Sequence, residues 1–417
     1  MQRSYKYRAF PKRAQVGDSD RIRWLLRDLW NAALQQRKEA WSRQHKTLTR
    51  KDQESELVAL RTECPEYAAL HFHLLQDVIT RLDRGYQQFF ERLEVWRAKL
   101  VAWRSKGSDP KKKPPSPGPP RFKGKWRYRS FTFKDAAHRN GAAYNPESGR
   151  VRIHGMGEVR IFLHRPWEGD IKQIQYVTTA FGHHYVVFSC DNVPVHPLPP
   201  TGEDAGVDVG VGDLAATEEE LFPNPRFLKK VEKRLANGQR RRKRKVIGSN
   251  RWRKAGMANA RQHARVANAR RDYQHKVARK IVEKYDRIAI EGDLNIVGMA
   301  RGFLAKSVHD AAMAQFLQIL VAKAESAGRE IAKPTARGSS QECSGILPDG
   351  SRCKAIVPKT LRDRIHCCPE CGTVKNRDQN SGGVLKHRAF GCRPGRGLRG
   401  GAVLGPPRSN KTGPPSS

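Results

Sequence analysis

The chain has 417 residues, with 80 Lys and Arg against 41 Asp and Glu, a formal net charge of +39. So large a basic excess repels itself in a compact fold and is best matched by a polyanion, which points to nucleic acid and away from a membrane surface. No run of eighteen or more apolar residues occurs, which argues against a transmembrane helix.

The opening Met1–Arg8 lacks the apolar core of a signal peptide, so a cytoplasmic, nucleoid-associated location is expected. The length leads us to expect two or three domains. Tyr5 to Phe10 reads as a short strand stopped by Pro11. From Asp18 the pattern turns helical, because Ile22, Leu25, Leu26, Leu29, Trp30 and Leu34 recur at three- and four-residue spacing. Further helices are expected over 50–62 and 66–104. The second carries Leu70, Leu74, Val78, Leu82, Tyr86, Phe89, Phe90, Leu93 and Trp96 on a similar stripe. These stripes read as the core of a helical bundle.

Residues 105–120 read as a linker, since the run from Lys111 to Pro120 is too rich in proline to continue a helix. Strand patterns follow at Val151–Ile153, Val159–Phe162, Ile171–Thr178 and His184–Ser189, which predict a small β-barrel or sheet. Between Trp126 and Lys134, aromatic residues alternate with basic ones. That pattern suits a surface that stacks nucleic-acid bases, and equally a half-buried antiparallel strand. Pro194–Pro200 marks a domain boundary.

An apolar strand signal begins at Ala205. Residues 227–284 form a basic, helix-forming stretch broken at Gly248-Ser-Asn250, which predicts two antiparallel helices. Six consecutive basic residues, Arg240, Arg241, Arg242, Lys243, Arg244 and Lys245, sit beside that break and favour phosphate contact. A strand ending at Glu291, one helix over 308–327 and a short strand at Arg329–Ala332 follow. After Lys386 no acidic residue remains, and that Gly-, Pro- and Arg-rich tail is expected to be disordered.

Three carboxylates stand out. Asp208 lies inside Gly206-Val-Asp-Val-Gly210, Glu291 closes a strand, and Asp378 lies in Asn376-Arg-Asp-Gln-Asn380. A carboxylate inside a buried strand is costly unless it is paired or binds a cation. Hydrolysis of a phosphodiester needs an activated water and stabilised charge on the leaving oxygen, which two Mg²⁺ ions (or Mn²⁺) roughly 3.5–4 Å apart can supply through hard oxygen ligands. Asp208, Glu291 and Asp378 are therefore the candidate metal-binding catalytic acids; Asp293 is read as a supporting or capping residue. Five of the eight cysteines fall between Cys343 and Cys371. Cys343 and Cys353 form a wide pair around Pro348-Asp-Gly350, and Cys368-Pro-Glu-Cys371-Gly372 has the usual two-residue gap. Four thiolates in two pairs suit a closed, structural Zn²⁺ site, with Cys367 and His366 as competing ligands. Cys64, Cys190 and Cys392 read as lone thiols.

In this order, Gly-Val-Asp208-Val-Gly, Ile-Glu291-Gly-Asp-Leu-Asn295, Ser-Gln-x-Cys343, Cys368-Pro-x-Cys371-Gly and Arg377-Asp378-x-Asn380 resemble TnpB, the RNA-guided nucleases of insertion sequences from which compact type V CRISPR effectors derive. Tyr5–Pro11 and Pro120–Lys125 with Tyr128–Phe133 resemble that family's opening strand and wedge entry. The resemblance implies a multidomain α+β chain. Residues 1–17 would be the first wedge strand, 18–104 a helical recognition domain and 121–200 a wedge β-barrel. An α/β RuvC (ribonuclease H-like) nuclease domain would follow over 204–339, resuming at 374–390 after an inserted zinc-binding module at 340–373, with the tail at 391–417. It further implies a guide RNA and double-stranded target DNA as partners, and cleavage beside a short flanking motif. Arg121, Lys123, Lys125, Trp126, Tyr128 and Arg377 join the basic run as candidate nucleic-acid contacts. The chain departs from the family pattern in the spread of its first cysteine pair and at Ser381-Gly-Gly383, where glycines would weaken a helix by about 1 kcal/mol each relative to alanine.

Overall fold

The computed structural model describes residues 1–105, 107, 109, 113–136, 141–292, 305–360 and 363–391. Five residues of the expected linker, nearly all of the expected tail including Cys392, and Asp293 lie outside these residues. The chain divides into two compact units, one of residues 1–196 and 231–268, the other of residues 197–230 and 269–417.

In the first unit, β1 (Arg3–Phe10) ends at Pro11, and α1 (Arg13–Gln44) starts five residues earlier than the apolar stripe predicts. The cause is local: the Lys12 N–H donates to Gln15 Oε1 at 2.9 Å, which satisfies an otherwise orphaned amide at the helix start. α2 (Arg50–Glu63) is capped by Thr49, whose side chain accepts from the Asp52 N–H. α3 (Pro65–Ala68) is one turn and α4 (Phe72–Ser105) is long. The strands that follow are β2 (Ser130–Lys134), β3 (Ala142–Asn145), β4 (Arg150–Ile153), β5 (Gly157–Phe162), β6 (Asp170–Thr178) and β7 (His184–Asp191). They join β1 in a seven-stranded antiparallel sheet ordered β2-β6-β7-β1-β5-β4-β3. The sheet is barrel-like and nearly closed, since Phe133 of one edge strand lies against Gly141 beside the other. Leu25, Leu26 and Leu34 of α1, Leu74 and Val78 of α4, and Phe131, Phe133 and Phe188 of the sheet belong to one continuous core. The Trp126–Lys134 segment therefore resolves toward a packed strand from Phe131 onward.

The second unit holds a five-stranded sheet ordered β10-β9-β8-β11-β12, built from β8 (Asp204–Val209), β9 (Asp213–Ala216), β10 (Leu221–Pro223), β11 (Arg287–Ile290) and β12 (Glu330–Ala332). The first three strands are an antiparallel meander, while β11 runs parallel to β8 and β12 parallel to β11. α5 (Phe227–Lys243) and α6 (Asn250–Lys284), of which residues 231–268 belong to the first unit, realise the two expected helices, and Gly238 against Asn259 and Gly256 against Arg242 show them antiparallel.

The single helix expected over 308–327 is broken. α7 (Ala305–Ala311) and α8 (Met313–Ser326) meet at Ala312, which is left-handed at φ 49°. Tertiary bonds stabilise the break. Gln274 donates to the Ala311 and Ala312 carbonyls, and the Asp310 carboxylate accepts from the Leu228 and Lys229 N–H groups at the start of α5. A two-stranded ribbon, β13 (Ile365–Cys367) and β14 (Val374–Asn376), leads into α9 (Arg377–Phe390), which packs on β8.

Candidate active site and cysteine centre

Asp208 is the fifth residue of β8. The parallel register pairs Ile290 with Val207, so Glu291, the next residue along, stands level with Asp208 on the adjacent strand end. The Asp208 carboxyl is held well above the usual carboxylate range. Burial is the largest cause, although the residue as a whole keeps some exposed surface; repulsion from Glu291, a hydrogen bond shared with Glu291 and repulsion from Asp378 follow, with Arg377 opposing. Asp378 reaches the same place from the first turn of α9. Its N–H donates to Asn376 Oδ1 at 2.8 Å, which caps the helix, and Arg377 Nε donates to Asp378 Oδ1 at 3.0 Å. The structure thus brings all three sequence-predicted acids together. Like charges this close favour protonation, and a bound cation would reverse that preference.

A fourth acid escaped the sequence reading. Asp213 opens β9, and its carboxyl is raised by burial and then by Asp378, with Arg364 and Arg226 opposing. The signal was present in the glycine-rich turn Gly210–Gly212, which folds β9 back along β8 so that Ala216 faces Asp208.

What lets α9 reach the acids is the absence of side chains. A Cβ on Gly206 would lie 1.9 Å from the Gly382 carbonyl oxygen and 2.6 Å from the Lys386 nitrogen. One on Gly382 would lie 2.8 Å from the Gly206 oxygen, and one on Gly383 would meet Ser344 Cβ at 2.7 Å. The glycines expected only to weaken the helix are what its backbone needs to approach the sheet. Glu218, just after β9, clamps the same helix. Its carboxylate pairs with Lys375 at 2.9 Å and with Lys386, and its carbonyl accepts from Gln379. Burial alone would raise its pKa, but the two ammonium groups outweigh it and hold the carboxyl at about 2.

The cysteine centre assembles from Cys343, Cys353, Cys368 and Cys371, whose sulfurs all lie within 4.8 Å of one another. The wide first pair is closed by a hairpin. Leu347 N–H bonds the Ser351 carbonyl, Gly350 turns at φ 80°, and Ile346 bridges Arg352. The second pair is a tight turn in which Gly372 N–H donates to the Cys368 carbonyl. Cys343 and Cys371 sulfurs are 3.5 Å apart, Cys353 and Cys368 sulfurs 3.6 Å. Tetrahedral Zn–S bonds of about 2.3 Å would set sulfurs about 3.8 Å apart, so the cluster could hold a metal ion such as zinc. Burial pushes the Cys343 and Cys353 thiols up. Cys371 also suffers burial, but hydrogen bonds from Thr373 and its cysteine neighbours bring it to about 7.

The competing ligands are excluded from this set. On β13 the alternation turns Cys367 outward, while His366 is buried with Nδ1 against Lys359 Nζ. Gly345 packs so closely that a Cβ there would lie 2.5 Å from the Cys371 sulfur. Cys64 and Cys190 are free thiols away from the cluster.

Of the residues expected to touch nucleic acid, Arg121, Lys125 and Trp126 are exposed and Lys123 is half-buried over the Trp30 ring, 4.0 Å from its centre. Tyr128 is a correction. It is 4% exposed in the core of the first unit, so its ring has no free face for a base. Arg240, Arg241, Lys243 and Arg244 are exposed; Lys245 is half-buried, and Arg242 stacks on Trp252, 3.9 Å from the ring centre. Arg377 is committed to Asp378 and the Asp363 carbonyl beside the acids, which sets it apart from the surface cations. Among the described residues, no helix is long and apolar enough to cross a membrane.

A strand-end acid cluster joined by one helix to a four-cysteine module defines a class, and comparison with known proteins agrees with it. Residues 186–302 match the family model OrfB_IS605, described as "Probable transposase", and residues 314–383 match the Cas12f1-like TNB domain. A Streptomyces pristinaespiralis protein named "Putative RNA-guided DNA endonuclease" is 26% identical over 386 residues, covering 91% of this chain and 88% of its own length. A second protein so described, InsQ of Escherichia coli (strain K12), is 27% identical over 228 residues, 54% of this chain and 49% of its own. Among solved structures, a Cas12f1–sgRNA–target DNA complex aligns with 93% of this chain and 99% of its own at 12% identity and a TM-score of 0.33, which carries no argument about the fold. By these matches the chain is similar to TnpB-like proteins and to compact type V effectors.

Proposed function

We propose that the chain is an RNA-guided DNA endonuclease that cuts double-stranded DNA beside a short flanking motif with a single RuvC-type site. Asp208, Glu291 and Asp378 are its metal-binding acids. The observation that carries the reading is their convergence from β8, the end of β11 and the start of α9, with the Asp208 carboxyl driven toward protonation by burial and then by the other two acids. Carboxylates that repel one another in a partly buried site fit two Mg²⁺ ions, which when bound would activate water and stabilise the leaving oxygen. The sheet order, a three-stranded meander followed by two parallel strands, supports the ribonuclease H-like assignment.

In this reading the cysteine centre holds a structural Zn²⁺. Guide RNA and target DNA lie on cationic surfaces that include Arg121, Lys123, Lys125 and Trp126 and the run from Arg240 to Lys245. The relatives' names supply the RNA-guided part of the reading. The test is cleavage of a matching duplex by protein purified with its RNA. Wild type should cut in Mg²⁺ and Asp208→Ala should not. Equal cutting by Asp208→Ala sinks the site assignment, and specific DNA binding that survives RNase treatment sinks the guide. The copurified RNA separates the two sources: a transposon-end transcript with a variable 3′ segment, or a repeat–spacer transcript.

A further inference from the structure

We propose that Asn380 is a positioning residue that ties Asp378 to the cysteine module, so that loss of metal from the module loosens the acid site. The inference rests on the reading of Asp378 as a catalytic acid. Asn380 lies two residues after Asp378 on α9 and is 0% exposed. Its side-chain amide is spent wholly on the backbone either side of Cys343. Oδ1 accepts from the Ser344 N–H at 2.9 Å, and Nδ2 donates to the Glu342 carbonyl at 2.7 Å. Ser381 extends the grip, its hydroxyl bonding the Ser339 hydroxyl at 2.9 Å, and Gly383 rests against Ser344. At the far end of the helix Arg388 pairs with the Glu342 carboxylate and donates to the Thr335 and Arg337 carbonyls. One face of α9 is therefore bonded along the chain that leads to the most buried cysteine of the cluster.

The opposite commitment of α9, the Gly206–Gly382 contact, sets its distance from the sheet. It forms no directional bond that fixes where the helix stands along its axis. The buried amide of Asn380 does, because a buried amide that loses its partners bears a desolvation cost. The Cys343 strand meets its partner in a short hairpin with two isolated bridges, Glu342 with Ile356 and Ile346 with Arg352, backed by backbone bonds such as Cys343 N–H to the Ala355 carbonyl and Cys353 N–H to the Gly345 carbonyl. A bound metal would tie Cys343 and Cys353 across this short hairpin and to the second cysteine pair, and its loss leaves the hairpin to those few bonds. When the hairpin loosens, the Ser344 N–H and Glu342 carbonyl leave Asn380, and the first turn of α9 with Asp378 loses that anchor and keeps only those on its other side, such as the Gln379 bond to the Glu218 carbonyl.

The experiment uses the zinc-loaded protein with its copurified RNA, and compares wild type with Asn380→Ala and with the isosteric Asn380→Asp. Asn380→Asp keeps the acceptor for Ser344 and loses the donor to Glu342. Three quantities are read: zinc per chain, hydrogen exchange of the amides in 377–386, and the Mg²⁺ concentration for half-maximal cleavage. Asn380→Ala should keep its zinc and its RNA-dependent DNA binding. Its α9 amides should exchange at least about tenfold faster, and its Mg²⁺ midpoint should rise about tenfold. Asn380→Asp should fall between, and it carries the test if the alanine variant does not fold. Stripping zinc from wild type with a chelator should loosen the same amides, and stripping it from Asn380→Ala should add nothing there. Unchanged α9 protection in both variants, or in stripped wild type, overturns the coupling. A looser α9 with an unmoved Mg²⁺ midpoint overturns the positioning role. The exchange and zinc readings need no cleavage, so a wild type that fails to cut refutes the nuclease reading without touching them.

Discussion

Replacing Gly206 by alanine tests whether the acid site depends on backbone-to-backbone packing. Strand propensity alone favours the change, since alanine recovers about 0.5–1 kcal/mol that glycine loses in unfolded-chain entropy. Geometry opposes it. The new methyl would lie 1.9 Å from the Gly382 oxygen, where ordinary contact begins at 3.4 Å, so α9 must retreat by about 1.5 Å, the difference between the two. Both nearest atoms are backbone, and neither can swing aside as a flexible side chain would. Overpacking of this kind costs about 1–3 kcal/mol, which outweighs the propensity gain. The larger effect falls on catalysis, because the retreating helix carries Asp378, and a displacement of about 1 Å costs on the order of a hundredfold in rate. Single-turnover cleavage with saturating Mg²⁺ should fall by about that factor while guide-dependent DNA binding holds. Gly382→Ala, whose methyl meets its nearest atom at 2.8 Å, needs a retreat of only about 0.6 Å by the same subtraction and should be milder. A Gly206→Ala protein that cuts at the wild-type rate and unfolds at the wild-type denaturant midpoint would refute the reasoning.

Glu218→Gln should destabilise the second unit by on the order of 3 kcal/mol near neutral pH, measured by denaturant unfolding, since it strips the partner from Lys375 and Lys386. The folded pKa of about 2 lies below the ordinary 4.5. The wild-type advantage should therefore be complete above about pH 4.5 and shrink as pH falls toward 2; an advantage flat across that range contradicts the ion-pair account. Metal analysis should find one zinc per chain in wild type and in Cys367→Ser, and loss of it in Cys353→Ser or Cys368→Ser; loss in Cys367→Ser would mean a different ligand set. Changing Arg240–Lys245 to glutamine should flatten the salt dependence of RNA or DNA binding by about 3 in log–log slope, in line with four exposed cations. An unchanged slope would leave that run as a solvated helix end, where cations are favoured by the helix dipole alone.

The sequence carried most of what depends on pattern and little of what depends on approach. Periodicity marked the α1 and α4 stripes because each buries one face, and the cysteine spacing marked the knuckle because a two-residue gap is set by local chain geometry. Tyr128 was misplaced because an alternating aromatic–basic segment looks the same from either side of a sheet, and only the core around Phe131 and Phe133 decides which side is wet. The break at Ala312 had no local signal, since alanine is the best helix former; it exists because Asp310 and Gln274 are spent on other elements. The glycines after Asp378 were read as a weakness on the same local logic. Their effect becomes legible only when Gly206, 176 positions earlier in the numbering, is set against Gly382. Each of these residues has an ordinary local explanation, and the two together remove the side chains that would keep a strand and a helix apart. The acids follow from that contact. Asp208 stands two residues along β8 from Gly206, and Asp378 one helical turn before Gly382, so closing the glycine pair delivers the carboxylates to one place. A mutation search confined to charged residues would miss the feature on which their proximity rests.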